Sequence, residues 1–214
     1  MSKKYSRLSE NLFVHHSAIN VGILRDENRA LLIDFGSGSI QSTLDELGIN
    51  DVKSVFFTHH HRDQASGVKS LAKSEVKIGV PAKEREWFEE VEKFWNNPDT
   101  RWHLYNFHPH NLMLSESISV HRTFREGDVI EWGKARISVL DTPGHTDGSV
   151  SYVVEVDDSK FVFCGDTIYD RGQVWEIYSL QKGNKTVTDY HGFLGSRKQL
   201  RESLLKLRNS FPTA

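Results

Sequence analysis

FFTHHHRDQASG, residues 56–67, places three histidines, an arginine, an aspartate and a glutamine directly after a short apolar run. His59, His61 and Asp63 recur at every second position, so a backbone that stays extended past Thr58 would turn all three to one side. Neutral imidazole and carboxylate are good zinc ligands, and a catalytic zinc takes about three protein ligands and keeps one position open for water. Such a concentration of potential ligands at a strand end outweighs the plainer reading of a polar loop with solvent-facing histidines.

Outward from this cluster the chain alternates strands and helices. Upstream, NLFVHH (11–16), AINVGILR (18–25) and ALLIDF (30–35) are β-rich runs separated by turn residues, which predicts an antiparallel meander. SGSIQSTLDELGIN (37–50) sets Ile40, Leu44 and Leu47 at helical spacing, with serines available to cap its start and Gly48 just past its end. VKSVFFT (52–58) is the strand that delivers the histidines, and a helix is expected from Gln64 to Lys73. After the strand VKIGV (76–80), AKEREWFEEVEKFW (82–95) puts Trp87, Val91, Phe94 and Trp95 on one helical face, a stripe that reads as core packing.

The second half repeats the theme with SVHRTF, DVIEW, ARISVLDT, VSYVVEV and KFVFCGD as strands. It closes on a helix in GSRKQLRESLLKLRNS (195–210), with Ser196 as cap and Leu200, Leu204 and Leu207 as the buried stripe. Two halves, each strands then a helix, imply two sheets packed face to face with helices outside. At 214 residues the chain is sized for one domain, and no linker or low-complexity segment divides it.

Composition limits the function classes. A net charge of -2 supplies no basic field for a phosphate backbone, so a small-molecule substrate is expected rather than nucleic acid. No apolar run approaches the roughly 20 residues of a membrane helix, and MSKKYSRLSE has no apolar centre of a signal peptide, so no membrane and a cytoplasmic location are expected. The single cysteine, Cys164, reads as a buried strand end rather than a nucleophile.

Further ligands have to come from distant segments. DTPGHTDGSV (141–150) supplies His145 on a glycine-flanked turn after a strand, and FCGDTIY (163–169) supplies Asp166 just past another. Together LLIDFG (31–36), THHHRDQ (58–64), TPGHTDGS (142–149) and CGDTIY (164–169) resemble, in order, four motifs of the metallo-β-lactamase superfamily. The resemblance covers nearly the whole chain. It implies an α+β fold, an αββα four-layer sandwich of two mixed β-sheets with helices on the outer faces. It also implies a hydrolase whose zinc, held by His59, His61, His145 and Asp166, activates a water against an ester, thioester, lactone or related bond. Asp63 would bind a second metal or orient and deprotonate the water, and Asp34 would brace the metal-binding loop without touching metal.

Two departures from that pattern shape the expectation. Gln64 stands where the superfamily has a histidine for a second metal, and a neutral amide oxygen is a poor zinc ligand, so one tight zinc site and a weakened second one are expected. The superfamily also places a last histidine after the final helix, whereas this sequence stops at NSFPTA; residues 1–214 are therefore read as a single domain truncated at its C-terminus. His191 is a candidate substitute ligand, and Tyr190, Trp175 and Gln64 are candidate pocket residues. His103, His108, His110 and His121 read as pocket-wall residues. Two other functions are compatible with the motifs: a mononuclear iron oxygenase of the persulfide-oxidising type, and a non-catalytic domain of a larger protein.

Overall fold

The computed structural model describes residues 4–71, 75–98, 113–169 and 197–211. The amino end is the predicted meander: β1 (Tyr5–Arg7), β2 (Leu12–His16), β3 (Asn20–Asp26) and β4 (Arg29–Ile33) pair antiparallel in sequence order. After the short helix α1 (Gln41–Glu46), β5 (Asp51–Phe56) returns parallel to β4, and β6 (Lys77–Pro81) and β7 (Arg122–Phe124) extend the sheet in parallel. A parallel neighbour requires a crossover, which α1 supplies between β4 and β5. β8 (Val129–Trp132), β9 (Ala135–Asp141), β10 (Val150–Val156) and β11 (Ser159–Phe163) form a second sheet, antiparallel throughout, in the order β11-β10-β9-β8. The last helix, α5, spans Arg197–Ser210.

Period-2 alternation along the strands divides the apolar residues between two cores. Leu24, Leu31, Ile33, Phe56 and Phe124 of the first sheet meet Ile137, Val139, Tyr152 and Val154 of the second. Ile23, Leu32, Val55, Phe57 and Val80 face the other way and pack under Ile40, Leu44, Ala65, Phe88 and Val91 of the helical layer. On the far side α5 is tied to the second sheet where Ser203 Oγ donates to the Pro143 carbonyl at 2.7 Å and Lys206 Nζ to that of Asp141 at 2.8 Å. The four-layer α+β sandwich is therefore the architecture observed. Among the described residues no helix is long and apolar enough to cross a membrane.

Several local expectations change. The strand in SVHRTF, assigned by order to the second half, joins the first sheet as β7, because Gly79, Val80 and Pro81 of β6 pair with Arg122, Thr123 and Phe124. The serines before α1 make no side-chain cap; Ile40 occupies the cap position and is buried instead. The helix expected from Gln64 begins two residues earlier, as α2 (Arg62–Ala65), and passes into a separate 3-10 turn at Val68–Leu71. The single helix expected over 82–95 is two, α3 (Arg85–Glu89) and α4 (Val91–Asn96), broken at Glu90, where φ and ψ are -123° and 33°. That break moves Phe88 into the buried stripe and leaves Trp87 and Trp95 half-buried.

Candidate metal centre

β5 carries the chain inward and releases it at Thr58. Asp34, just past the adjacent β4, adopts φ 60°, a left-handed conformation that aspartate tolerates. From there its Oδ1 accepts the Thr58 backbone N–H at 2.9 Å, and Oδ1 and Oδ2 lie 3.1 and 3.0 Å from Thr58 Oγ1. Thr58 Oγ1 in turn lies 3.0 Å from His59 Nδ1. With its one hydroxyl proton directed at the carboxylate, Thr58 accepts from His59 Nδ1–H, which fixes the tautomer and leaves Nε2 with a bare lone pair. Thr58 was not singled out in the sequence; its place between Asp34 and His59 is a tertiary fact.

His59 Nε2 is buried and has no hydrogen-bond partner. A polar atom left that way costs free energy unless something else satisfies it. It faces Asp166, with Nε2 3.9 Å from Oδ2, and His145 Nε2 lies 3.5 Å from the same oxygen. His145 Nε2 and His61 Nδ1 face one another at 2.9 Å. One donor atom from each of His59, His61, His145 and Asp166 lies within 4.8 Å of all the others. Around a tetrahedral zinc, with bonds of about 2.0–2.1 Å, donors stand about 3.4 Å apart. Three imidazoles and one carboxylate so placed fit that ion. Burial holds His59 and His145 well below the usual histidine range, so both are neutral and able to ligate.

The remaining parts of the site come from the second sheet. His145 rides the β9–β10 loop, closed by Thr142 N–H on the Ser149 carbonyl at 2.9 Å and Gly144 N–H on that of Thr146 at 3.0 Å. Asp166 lies in a 3-10 turn, Gly165–Thr167, after β11. Gly165 has φ 52°, and a Cβ there would stand 2.6 Å from Thr58 Oγ1, so only glycine lets this turn close against the histidine loop. Burial, then the neighbouring Asp63, raises the Asp166 carboxyl to about 7. Tyr169 O–H donates to its Oδ2 at 3.1 Å and Gln64 Nε2 to its Oδ1 at 3.3 Å, fixing both oxygens. Tyr169 was quoted in the CGDTIY motif, yet nothing in the sequence marked it as Asp166's partner.

Asp63 is not one of the four clustered donors. The backbone is extended only through His61, at φ -61° and ψ 146°, and turns helical at Arg62, which ends the alternation that would have aimed Asp63 with the histidines. It lines the adjoining cavity of about 490 Å³ together with Gln64, Asp34 and Asp166, and burial raises its carboxyl above the usual range. The cavity's other wall is apolar: Leu8, Val14, Ile19, Phe161, Phe163 and Ile168. His60, the middle histidine, faces away onto Glu84 and Trp87. His121 Nδ1 accepts the Ile78 N–H at 3.1 Å in the β6–β7 pairing. Trp175, Tyr190 and His191 lie outside the described residues, as do His103, His108 and His110.

The chain is 28% identical over 152 residues to a hydroxyacylglutathione hydrolase of Hahella chejuensis, covering 70% of the chain and 47% of that protein. It is 32% identical over 119 residues to one of Brucella anthropi, covering 55% and 34%. The chain thus spans less than half the length of these relatives. Among solved structures, a Cronobacter sakazakii metallo-beta-lactamase described by a HARLDQ motif has a TM-score of 0.67 at 16% identity, covering 95% of this chain and 76% of that one. The native FEZ-1 metallo-beta-lactamase from Legionella gormanii has a TM-score of 0.68 at 16% identity, covering 97% and 76%. The model of the metallo-beta-lactamase superfamily matches residues 16–210, nearly the whole length over which the fold and the histidine cluster were traced, and the chain belongs to that superfamily.

Proposed function

We propose that this chain is a metal-dependent hydrolase acting on a thioester or related acyl bond through one tightly held zinc. The observation that carries the reading is the convergence of His59 Nε2, His61 Nδ1, His145 Nε2 and an Asp166 oxygen, with the two flanking imidazoles held neutral. Zinc held by these residues would supply an acidified water, with a pKa near about 7, and a Lewis acid for the carbonyl oxygen. The relatives named hydroxyacylglutathione hydrolase, a thioester hydrolase, favour an acyl–sulfur bond.

The chain's own residues would divide the remaining work. Asp34 and Thr58 hold His59 in its ligating tautomer. Asp63, on the cavity wall with a carboxyl raised by burial, holds the proton taken from the attacking water and returns it to the leaving group. Tyr169 and Gln64 keep Asp166 oriented. The apolar wall of Ile19, Phe161 and Phe163 shelters the acyl group and excludes water from it. Gln64 directs its amide N–H at Asp166, which favours a single metal over a pair.

Metal analysis of purified protein, followed by assays on a panel of thioesters, esters and lactones, tests this reading. Zinc near one per chain and thioester cleavage that a chelator abolishes and zinc restores are the expected results. Iron in place of zinc, with oxygen consumption on a persulfide, would replace it by the oxygenase reading.

A further inference from the structure

We infer that Glu84 is a positioning residue whose one carboxylate clasps the two histidine-bearing loops and holds them at ligand distance; the inference rests on the metal-site reading above. Glu84 ends the 3-10 turn Ala82–Glu84 that follows β6 and is 1% exposed. Its Oε2 accepts the His60 backbone N–H at 2.6 Å and lies 2.9 Å from His60 Nδ1. Its Oε1 accepts from Thr146 Oγ1 and from the Gly148 N–H at 3.2 Å. His60 lies between the ligands His59 and His61, and Thr146 follows the ligand His145. One oxygen thus serves each loop.

Three further observations separate a clasp from an incidental buried acid. Among the described residues no lysine or arginine pairs with Glu84, so its charge rests on hydrogen bonds from these two loops alone. A buried carboxylate held this way contributes less to stability than an apolar side chain of its size would, which points to a role other than filling space. At Gly148 a Cβ would stand 2.4 Å from Glu84 Cγ, so the loop reaches the carboxylate only because residue 148 is glycine. The His60 ring is held flat against Trp87, 5.5 Å between centroids and 26° between planes, which aims Nδ1 at the carboxylate. The middle histidine of the triple run is therefore a brace. The clasp thus joins the two loops beside the 2.9 Å approach of His61 Nδ1 and His145 Nε2, adding to the bond that the Val150 N–H makes to the Thr58 carbonyl at 3.0 Å.

The test uses the full chain, with zinc affinity measured by chelator competition, coordination read from the cobalt(II) absorption spectrum, and thermal unfolding of the metal-free protein. Glu84→Gln puts an amide N–H where an acceptor is required, and Thr146→Val removes one donor while keeping side-chain volume. Each should weaken zinc binding by about 10–100-fold and alter the cobalt spectrum. The double variant should bind zinc no worse than the weaker single one, since both cut the same link. Thr146→Ser, which restores the hydroxyl, should recover wild-type affinity in a protein as stable as Thr146→Val without metal. If Glu84→Gln does not fold, the Thr146 pair still decides. Wild-type affinity in Thr146→Val, or independent additive losses in the double variant, overturns the clasp alone. A wild-type chain that binds no zinc overturns the metal reading and the clasp together.

Discussion

Replacing Asp34 by asparagine separates the brace from the ligands it serves. Asparagine tolerates the left-handed backbone that Asp34 adopts at φ 60°, so the substitution changes charge and one acceptor but not the turn. In the wild type the carboxylate takes the Thr58 N–H at 2.9 Å and the Thr58 hydroxyl at 3.0 Å, and that hydroxyl orients His59. In the variant an amide N–H faces Thr58 Oγ1 in place of an acceptor, and the chain of polarisation to His59 is broken. Loss of such a partner costs about 10–100-fold in metal affinity, or about 1.4–2.7 kcal/mol. The metal-free protein should respond in the opposite sense. Burial raises the Asp34 carboxyl from 3.8 to about 8, against the lowering effect of the Thr58 hydrogen bonds. A group raised in this way contributes stability that is fully present below the unfolded value of 3.8 and is lost as pH rises through about 8. Asparagine cannot ionise, so the metal-free wild type should lose melting temperature as pH rises from about 4 to about 8, a decline the variant should lack, and above about pH 8 the two curves should run parallel. Chelator competition at neutral pH and melting curves across that range measure both effects. Zinc affinity within about twofold of wild type would falsify the brace.

The other consequences concern the ligands, the glutamine and the junction between the sheets. His145→Ala should abolish tight zinc binding and hydrolysis together; unchanged metal content by elemental analysis would remove His145 from the centre. Gln64→His replaces a weak neutral oxygen with imidazole and should raise metal content from one toward two per chain after dialysis against matched free zinc. Two tightly held metals in the unmodified protein would refute the one-metal reading. Tyr152→Phe removes the buried O–H that donates to the Phe57 carbonyl at 2.8 Å. That should cost about 1–3 kcal/mol and lower the melting temperature by about 2–10 °C; an unshifted melting curve would show that the bond contributes nothing net.

What the sequence disclosed was what short-range pattern controls. The meander β2 to β4, the strand feeding the histidines, and the turns holding His145 and Asp166 follow from alternation and from glycine placed beside polar residues. Asp63 shows where this reasoning fails: a period of two predicts a direction only while the backbone stays extended, and it turns helical at Arg62. β7 was misplaced because strand pairing is decided by partners far away in sequence, here β6. Glu84 was illegible for a different reason. It shares AKEREWFEE with Glu86, Glu89 and Glu90, and nothing local separates the one buried acid that meets two loops from neighbours that are exposed or half-buried.

The centre also has a place in the order in which the chain can fold. β2, β3 and β4 pair with their immediate neighbours along the chain, so the meander can form early and locally. The four donors do not share that economy: they span residues 59 to 166, and the last arrives only after both sheets have their strands. A ribosome that has released only the first sheet has released two of the four. Metal can therefore add no four-donor binding energy to a nascent chain until β11 and the turn beyond it are in place, and thereafter it favours the completed sandwich over every partly folded form. A metal bound by these four donors would act as a late lock rather than a nucleus.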